Sequence, residues 1–184
     1  MTVSSHVIED GFTHSVEPPP ADTAESALAA MQEWIARQED FSALPIIGRL
    51  SDRPVEVAPL DIRSLFADLP HAPRSGCWMR SREDSPTDPR MQRAALTYAS
   101  DMLFLRNALL PHGVRPGDAS MQVASLDHAM WFHASPDFSR WHLYATESPW
   151  AGGARGLNRG HFFDTGGGLV ATVAQENLMR RRPR

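Results

Sequence analysis

Asp101 lies within Thr97-Tyr-Ala-Ser-Asp-Met-Leu-Phe-Leu105, the most apolar stretch of helical character in the chain. A carboxylate buried there without partners costs several kcal/mol or takes up a proton. It is therefore either a tuned proton-transfer group or a hydrogen-bonded brace. Further along, Ser125 and Asp127 stand two apart in a β-type run and share a face, with His128 on the other. Gln175 closes the apolar run Leu169-Val-Ala-Thr-Val-Ala174 and sets an amide at the end of a strand. Each has a plain structural reading as well: small filler for Ser125, a structural polar pair for Asp127 and His128, a backbone-bonded edge residue for Gln175. The residues alone support a buried polar site in an α+β domain.

Other chemistries are excluded by pattern. The chain has no Gly-x-Ser-x-Gly elbow, no Gly-Lys-Ser/Thr phosphate loop and no His-Glu-x-x-His. His128 and His133 are five apart, an odd separation that sends them to opposite strand faces, so they cannot share a metal without a bulge. Cys77, beside Trp78, reads as a small core residue, because no base stands near it in sequence to activate the thiol. As the only cysteine it allows neither a disulfide framework nor a cysteine zinc cluster.

Positioning such residues falls to the following elements. The segment 1–24 is a polar arm that ends in Pro18-Pro19-Pro20. A helix capped by Asp22 or Thr23 follows, with Ala27, Leu28, Met31, Trp34 and Ile35 at helical spacing and Pro45 beyond its end. Pro54–Pro59 alternates as an edge strand, 61–75 reads as a loop, and Gly76–Ser81 as a second strand. Asp88-Pro89 opens one long helix that runs to Leu110, apolar nearly all round beyond Arg93 and hence buried. Strands are then expected over Met121–His133, Trp141–Ser148, Gly153–Phe163 and Leu169–Met179, joined by turns at 135–137, 149–153 and 164–168. Hairpin connections make the sheet antiparallel, and the fold class is α+β: a sheet curled around one long helix.

At 184 residues and 42% apolar content the chain suits one core with an appendage, divided as an N-terminal arm and linker helix over 1–53 and the sheet domain over 54–184. A net charge of −4 gives no bulk drive toward nucleic acid or an anionic membrane surface. No run of about 18 apolar residues is present, and Met1–His6 lacks the basic and apolar regions of a secretory leader. A cytoplasmic protein without nucleic-acid or membrane partners is the expectation.

The run Ala99-Ser-Asp101-Met-Leu-Phe-Leu105…Pro111-His-Gly113, followed by Ser125-Leu-Asp-His-Ala-Met-Trp-Phe-His133, resembles the C-terminal half of the acyl-CoA thioesterase II family. The likeness continues through Glu147–Gly156 and Leu169–Glu176, is strong over roughly 75–180, and thins toward Asp52–Glu56 and the preceding helix. It implies a hotdog fold, a long helix wrapped by an antiparallel sheet, of which family members carry two in tandem. It also implies hydrolysis of acyl-CoA by a water held and activated by an Asp, a Ser or Thr, and a Gln. By motif these are Asp101, Ser125 and Gln175, with no cofactor or metal. The substrate is then acyl-CoA, and the first hotdog domain has no counterpart here. A homodimer or a partner hotdog chain is expected to complete the acyl-CoA junction. Two other functions fit less well: a non-catalytic acyl-CoA-binding or partner subunit, and an enoyl-thioester hydratase using Asp127-His128.

Overall fold

The computed structural model describes residues 2–5, 13–37, 53–62, 65, 69–82, 88–114 and 117–182. Pro45 and parts of the 61–75 loop lie outside them.

Helix α1 spans Ala24–Ala36, and Thr23 caps it by accepting from the Ser26 N–H. Strands β1 (Val55–Pro59) and β2 (Arg74–Ser81) pair antiparallel. Helix α2 (Pro89–Ser100) starts at Asp88, whose carboxylate accepts from Arg90 N–H with Pro89 at the first helical position. A one-turn helix α3 (Arg106–Leu109) and a 3-10 turn at Leu110–His112 follow. Strands β3 (Met121–Ser125), β4 (Ala129–Phe132), β5 (His142–Gly152), β6 (Arg155–Phe163) and β7 (Leu169–Arg181) complete the fold. The sheet order is β1-β2-β5-β6-β7-β3, with β4 also on β7, and every pairing is antiparallel.

The core lies between the concave face of this sheet and α2. Leu96, Ala99 and Phe104 meet Val55, Val57, Cys77, Met79, Tyr144, Phe162, Val170, Ala171 and Val173. Alternation along β1 and β2 turns Ala58 and Trp78 to the opposite face. There they receive α1, which buries Ala24 and Ala27 against Ala58 and Trp141, while Trp78 Nε1–H donates to Asp22 O at 2.8 Å. Tyr144 stacks on Phe162 with ring centroids 3.9 Å apart. Gly160 makes that possible, since a Cβ there would come within 2.5 Å of the Tyr144 ring.

Three expectations are corrected. The helix expected to run unbroken from Asp88 to Leu110 stops at Ser100, and residues 101–105 form loose turns in which Leu103 takes φ +63°. This break leaves Asp101 exposed as the cap residue of α2 instead of buried in mid-helix. The strand expected over Met121–His133 is two strands, interrupted at 126–128, where the Asp127 carboxylate accepts from the Glu176 N–H. An aspartate that bonds backbone in this way competes with regular strand pairing. The turn expected over Pro149–Gly153 is shorter: β5 passes Pro149 through an irregularity between Glu147 and Trp150, and the chain reverses at Gly153-Ala154, both at positive φ. The Asp164–Gly168 turn is as expected, with Asp164 Oδ1 accepting from Gly166 and Gly168 N–H.

His142 is buried at the start of β5, with its ring against Phe138 and Nδ1–H donating to Arg140 O at 3.0 Å. Burial holds its pKa below the ordinary 6.5, and His161 shifts the same way, through burial and then the Arg159 charge. The unfolded chain therefore binds protons at a higher pH than the folded one, so their contribution to stability is complete above pH 6.5 and falls as pH drops below it. Thermal midpoints are expected to decline on acidification through that value, and less steeply in His142→Asn. A wild-type midpoint unchanged one unit below it would contradict this.

Candidate functional site

Three strands and the end of one helix converge on β7. Ser125 pairs with Asn177 across β3 and β7, and Asn158 pairs with Gln175 across β6 and β7. Cross-strand partners share a face, and Gln175 and Asn177 are two apart, so all four side chains lie on the concave side. Asp101 reaches this group because α2 ends one residue before it. Tyr144 O–H holds that helix end by donating to Ser100 O at 2.8 Å. Asn107 secures the following turns, donating to Phe104 O at 3.0 Å and Thr146 Oγ1 at 3.1 Å while accepting from Ser75 O–H at 2.7 Å.

The three residues singled out from the sequence are brought together. Ser125 O–H donates to Asp101 Oδ1 at 3.4 Å, and Gln175 Nε2 donates to Ser125 Oγ at 2.8 Å. The first contact is long for O–H···O. Gln175 also donates to Asn177 Oδ1 at 2.7 Å. Depth divides the set: Gln175 is 1% exposed, whereas Asp101 and Ser125 face solvent. Behind Gln175 the interior is polar, and among the described residues both amide atoms of Asn158 and Nδ2 of Asn177 lie buried without a partner.

His128 also belongs to the site, against expectation. It was assigned to the face opposite Ser125 and Asp127, but the interruption at 126–128 resets the alternation. His128 Nδ1 lies 2.5 Å from Gln175 Oε1, and Nε2 lies 2.8 Å from Ser100 Oγ. Asp127, expected beside Ser125, bonds backbone at Glu176 instead. His133 lies on the other face of β7, with Nε2 on Thr172 Oγ1 at 2.8 Å. The one signal for this was Asp127 itself, a residue poorly suited to strand interiors. Ser100 and Asn177 carried none.

Nearby titratable groups are unsuited to the chemistry. Burial pushes the Cys77 thiol up to about 12, opposed in part by the Arg106 charge, which leaves it inert as a nucleophile. Arg106 is drawn down to about 10 by burial, against the pull of Asp61, and so stays charged near neutrality. Among the described residues no group of three or more His, Cys, Asp or Glu side chains is placed to hold a metal ion.

A family profile described as acyl-CoA thioesterase matches residues 49–178. The chain belongs to the acyl-CoA thioesterase family. Acyl-CoA thioesterase 2 of Haemophilus influenzae is 32% identical over 185 residues, which covers 98% of this chain and 63% of that protein. Acyl-coenzyme A thioesterase 8 of Mus musculus is 39% identical over 181 residues, covering 96% of this chain and 55% of that one. Among solved structures, acyl-CoA thioesterase II from Mycobacterium marinum superposes with a TM-score of 0.72 at 33% identity, over 95% of this chain and 60% of that one. A protein from Alicyclobacillus acidocaldarius described as having a hot dog fold gives a TM-score of 0.64 at 17% identity and bears on fold alone. The hotdog architecture follows. This thioesterase-family chain spans between about half and two thirds of the length of these family relatives.

Proposed function

We propose that the chain hydrolyses acyl-CoA thioesters, releasing a carboxylic acid and CoA, with Asp101 as general base and Ser125 and Gln175 as water-positioning groups. What carries this reading is the single hydrogen-bonded path Gln175–Ser125–Asp101, which joins residues from the last strand, an edge strand and a helix end. The unit responsible is residues 54–184, with 1–53 as arm and docked helix.

The steps follow from the groups present. A water beside Asp101 gives its proton to the carboxylate as its oxygen bonds to the thioester carbonyl carbon. The tetrahedral oxyanion collapses, the C–S bond breaks, and the leaving thiolate takes the proton from Asp101. Positioned proton transfer is worth about 10²–10⁴-fold, and holding the water in place removes part of the entropic barrier. Neither nitrogen of His128 faces Ser125, since one is on Gln175 and the other on Ser100. The Ser125 hydroxyl meets the Asp101 carboxylate only over a long 3.4 Å contact and has no imidazole beside it, a weak activation for a serine nucleophile that favours water as the attacking group. The hydratase alternative loses support, because Asp127 and His128 are bonded apart, to Glu176 and Gln175.

The test is thiol release from saturated acyl-CoAs of graded length, with intact mass followed during turnover. The expected result is release of CoA with no acyl adduct and no burst. An adduct on Ser125 would establish nucleophilic catalysis instead, and tight acyl-CoA binding without release would favour the non-catalytic reading.

An assembly accompanies this function: a second hotdog unit, from another copy or a partner chain, against the open side of the site. Leu126, next to Ser125, is 51% exposed, and Trp131, 53% exposed, lies on β4 opposite Thr172, on the other face of β7. An open β3 and β4 edge with exposed apolar groups invites pairing. Light scattering is expected to report a dimer or larger. A monodisperse monomer with full hydrolytic activity would show that no second unit is needed.

A further inference from the structure

The direction of the hydrogen bonds in the site can be followed from one end. Carboxylate oxygens only accept, so with Asp101 ionised the Ser125 proton points to Oδ1 and Ser125 Oγ is left to accept from Gln175. The Gln175 NH₂ therefore faces Ser125 Oγ and Asn177 Oδ1, and its Oε1 faces His128 Nδ1. A carbonyl oxygen cannot donate, so the proton of that last contact sits on Nδ1. A neutral ring then accepts at Nε2 from Ser100 O–H, whose single proton has a second acceptor in Thr97 O at 2.7 Å.

We propose that His128 is a positioning residue that locks the orientation of the Gln175 amide through its Nδ1–H bond to Oε1. An amide turned end for end would present Oε1 to Ser125, draw the serine proton toward β7 and leave Asp101 without its donor. The ring is well placed for this. Its Nε2 is tied to the last residue of α2, and the ring makes a T-shaped contact with Phe104, at 75° with centroids 6.2 Å apart. His128 thus couples the element bearing Asp101 to the strand bearing Gln175 without touching the attacking water. Its catalytic consequence rests on the hydrolytic function proposed above, while the hydrogen-bond assignment does not.

The decisive measurement is the tautomer of His128 in the intact chain, read from nitrogen-15 couplings of the neutral ring in alkaline buffer and assigned by the signal lost in His128→Asn. A proton on Nδ1 is expected; the Nε2–H tautomer would overturn the proposal, because which nitrogen is protonated follows the partner of the other. Kinetics supply the second arm. His128→Ala is expected to lower kcat on the order of tenfold at nearly unchanged KM. His128→Asn, whose side-chain NH₂ can stand where Nδ1–H stood, should restore most of it. An Asn variant no better than Ala, with both folded as stably as wild type, would also overturn it. If wild type releases no CoA, the hydrolytic function fails, and the tautomer still decides the assignment of His128.

Discussion

Asp101→Asn is expected to lower thioester hydrolysis at least about 100-fold while leaving the fold intact. The substitution keeps the shape and removes the ability to take a proton from water. Because Asp101 is exposed at the end of α2 and has no role in the core, little stability should be lost with it. Ser125→Ala and Gln175→Ala should each cost less. Combined with Asp101→Asn they should add little, since the three act on one water. Steady-state rates of single and double variants, with circular dichroism to confirm folding, provide the check. A folded Asp101→Asn protein turning over at near wild-type rate would remove Asp101 from the mechanism.

Phe104→Ala is expected to cost about 3–5 kcal/mol of stability, against a total of roughly 5–15 for a domain of this kind. Phe104 is 1% exposed and lies against Tyr144 with centroids 5.6 Å apart. It is the buried anchor of a segment whose backbone has no regular helical ladder, since residues 101–105 form turns. Truncation removes that anchor and the edge contact to His128 together, so activity should fall along with stability. Urea unfolding should show a lower midpoint at similar slope, with Phe104→Leu recovering most of the loss. A shift below about 1 kcal/mol would mean that the turns are held by their hydrogen bonds alone.

Much of this arrangement was legible from local chemistry. Asp88-Pro89 announces a helix start and Asp164-Thr-Gly-Gly-Gly168 announces a hairpin. The amide after the apolar run Leu169–Ala174 singles out Gln175, although it lies in the middle of β7 and not at the strand end expected. The break after Ser100 was not legible, because Ala99–Leu105 contains neither glycine nor proline and has strong helical character. What holds the break is largely tertiary: Tyr144 donates to the Ser100 carbonyl and Thr146 accepts from Asn107, bonds formed only once β5 is in place, while Asn107 also takes the nearby Phe104 carbonyl. The expectation of a buried Asp101 failed for that reason. His128 was missed for a related one, since strict alternation was carried across a strand that Asp127 interrupts through a bond to a distant residue.

The uneven depth of the site has a consequence in dielectric terms. Two unit charges 4 Å apart interact by about 1 kcal/mol in bulk water and by about 4 kcal/mol where the effective dielectric falls to that of a protein surface. Asp101 and Ser125 begin at the wet end of that range, with Gln175 at the dry end. A carboxylate bathed in solvent has abundant water around it and little leverage on the positive charge that develops on a water as it attacks a thioester. Covering its open side, by a bound acyl-CoA or a neighbouring unit, would raise that leverage about fourfold without moving a side chain.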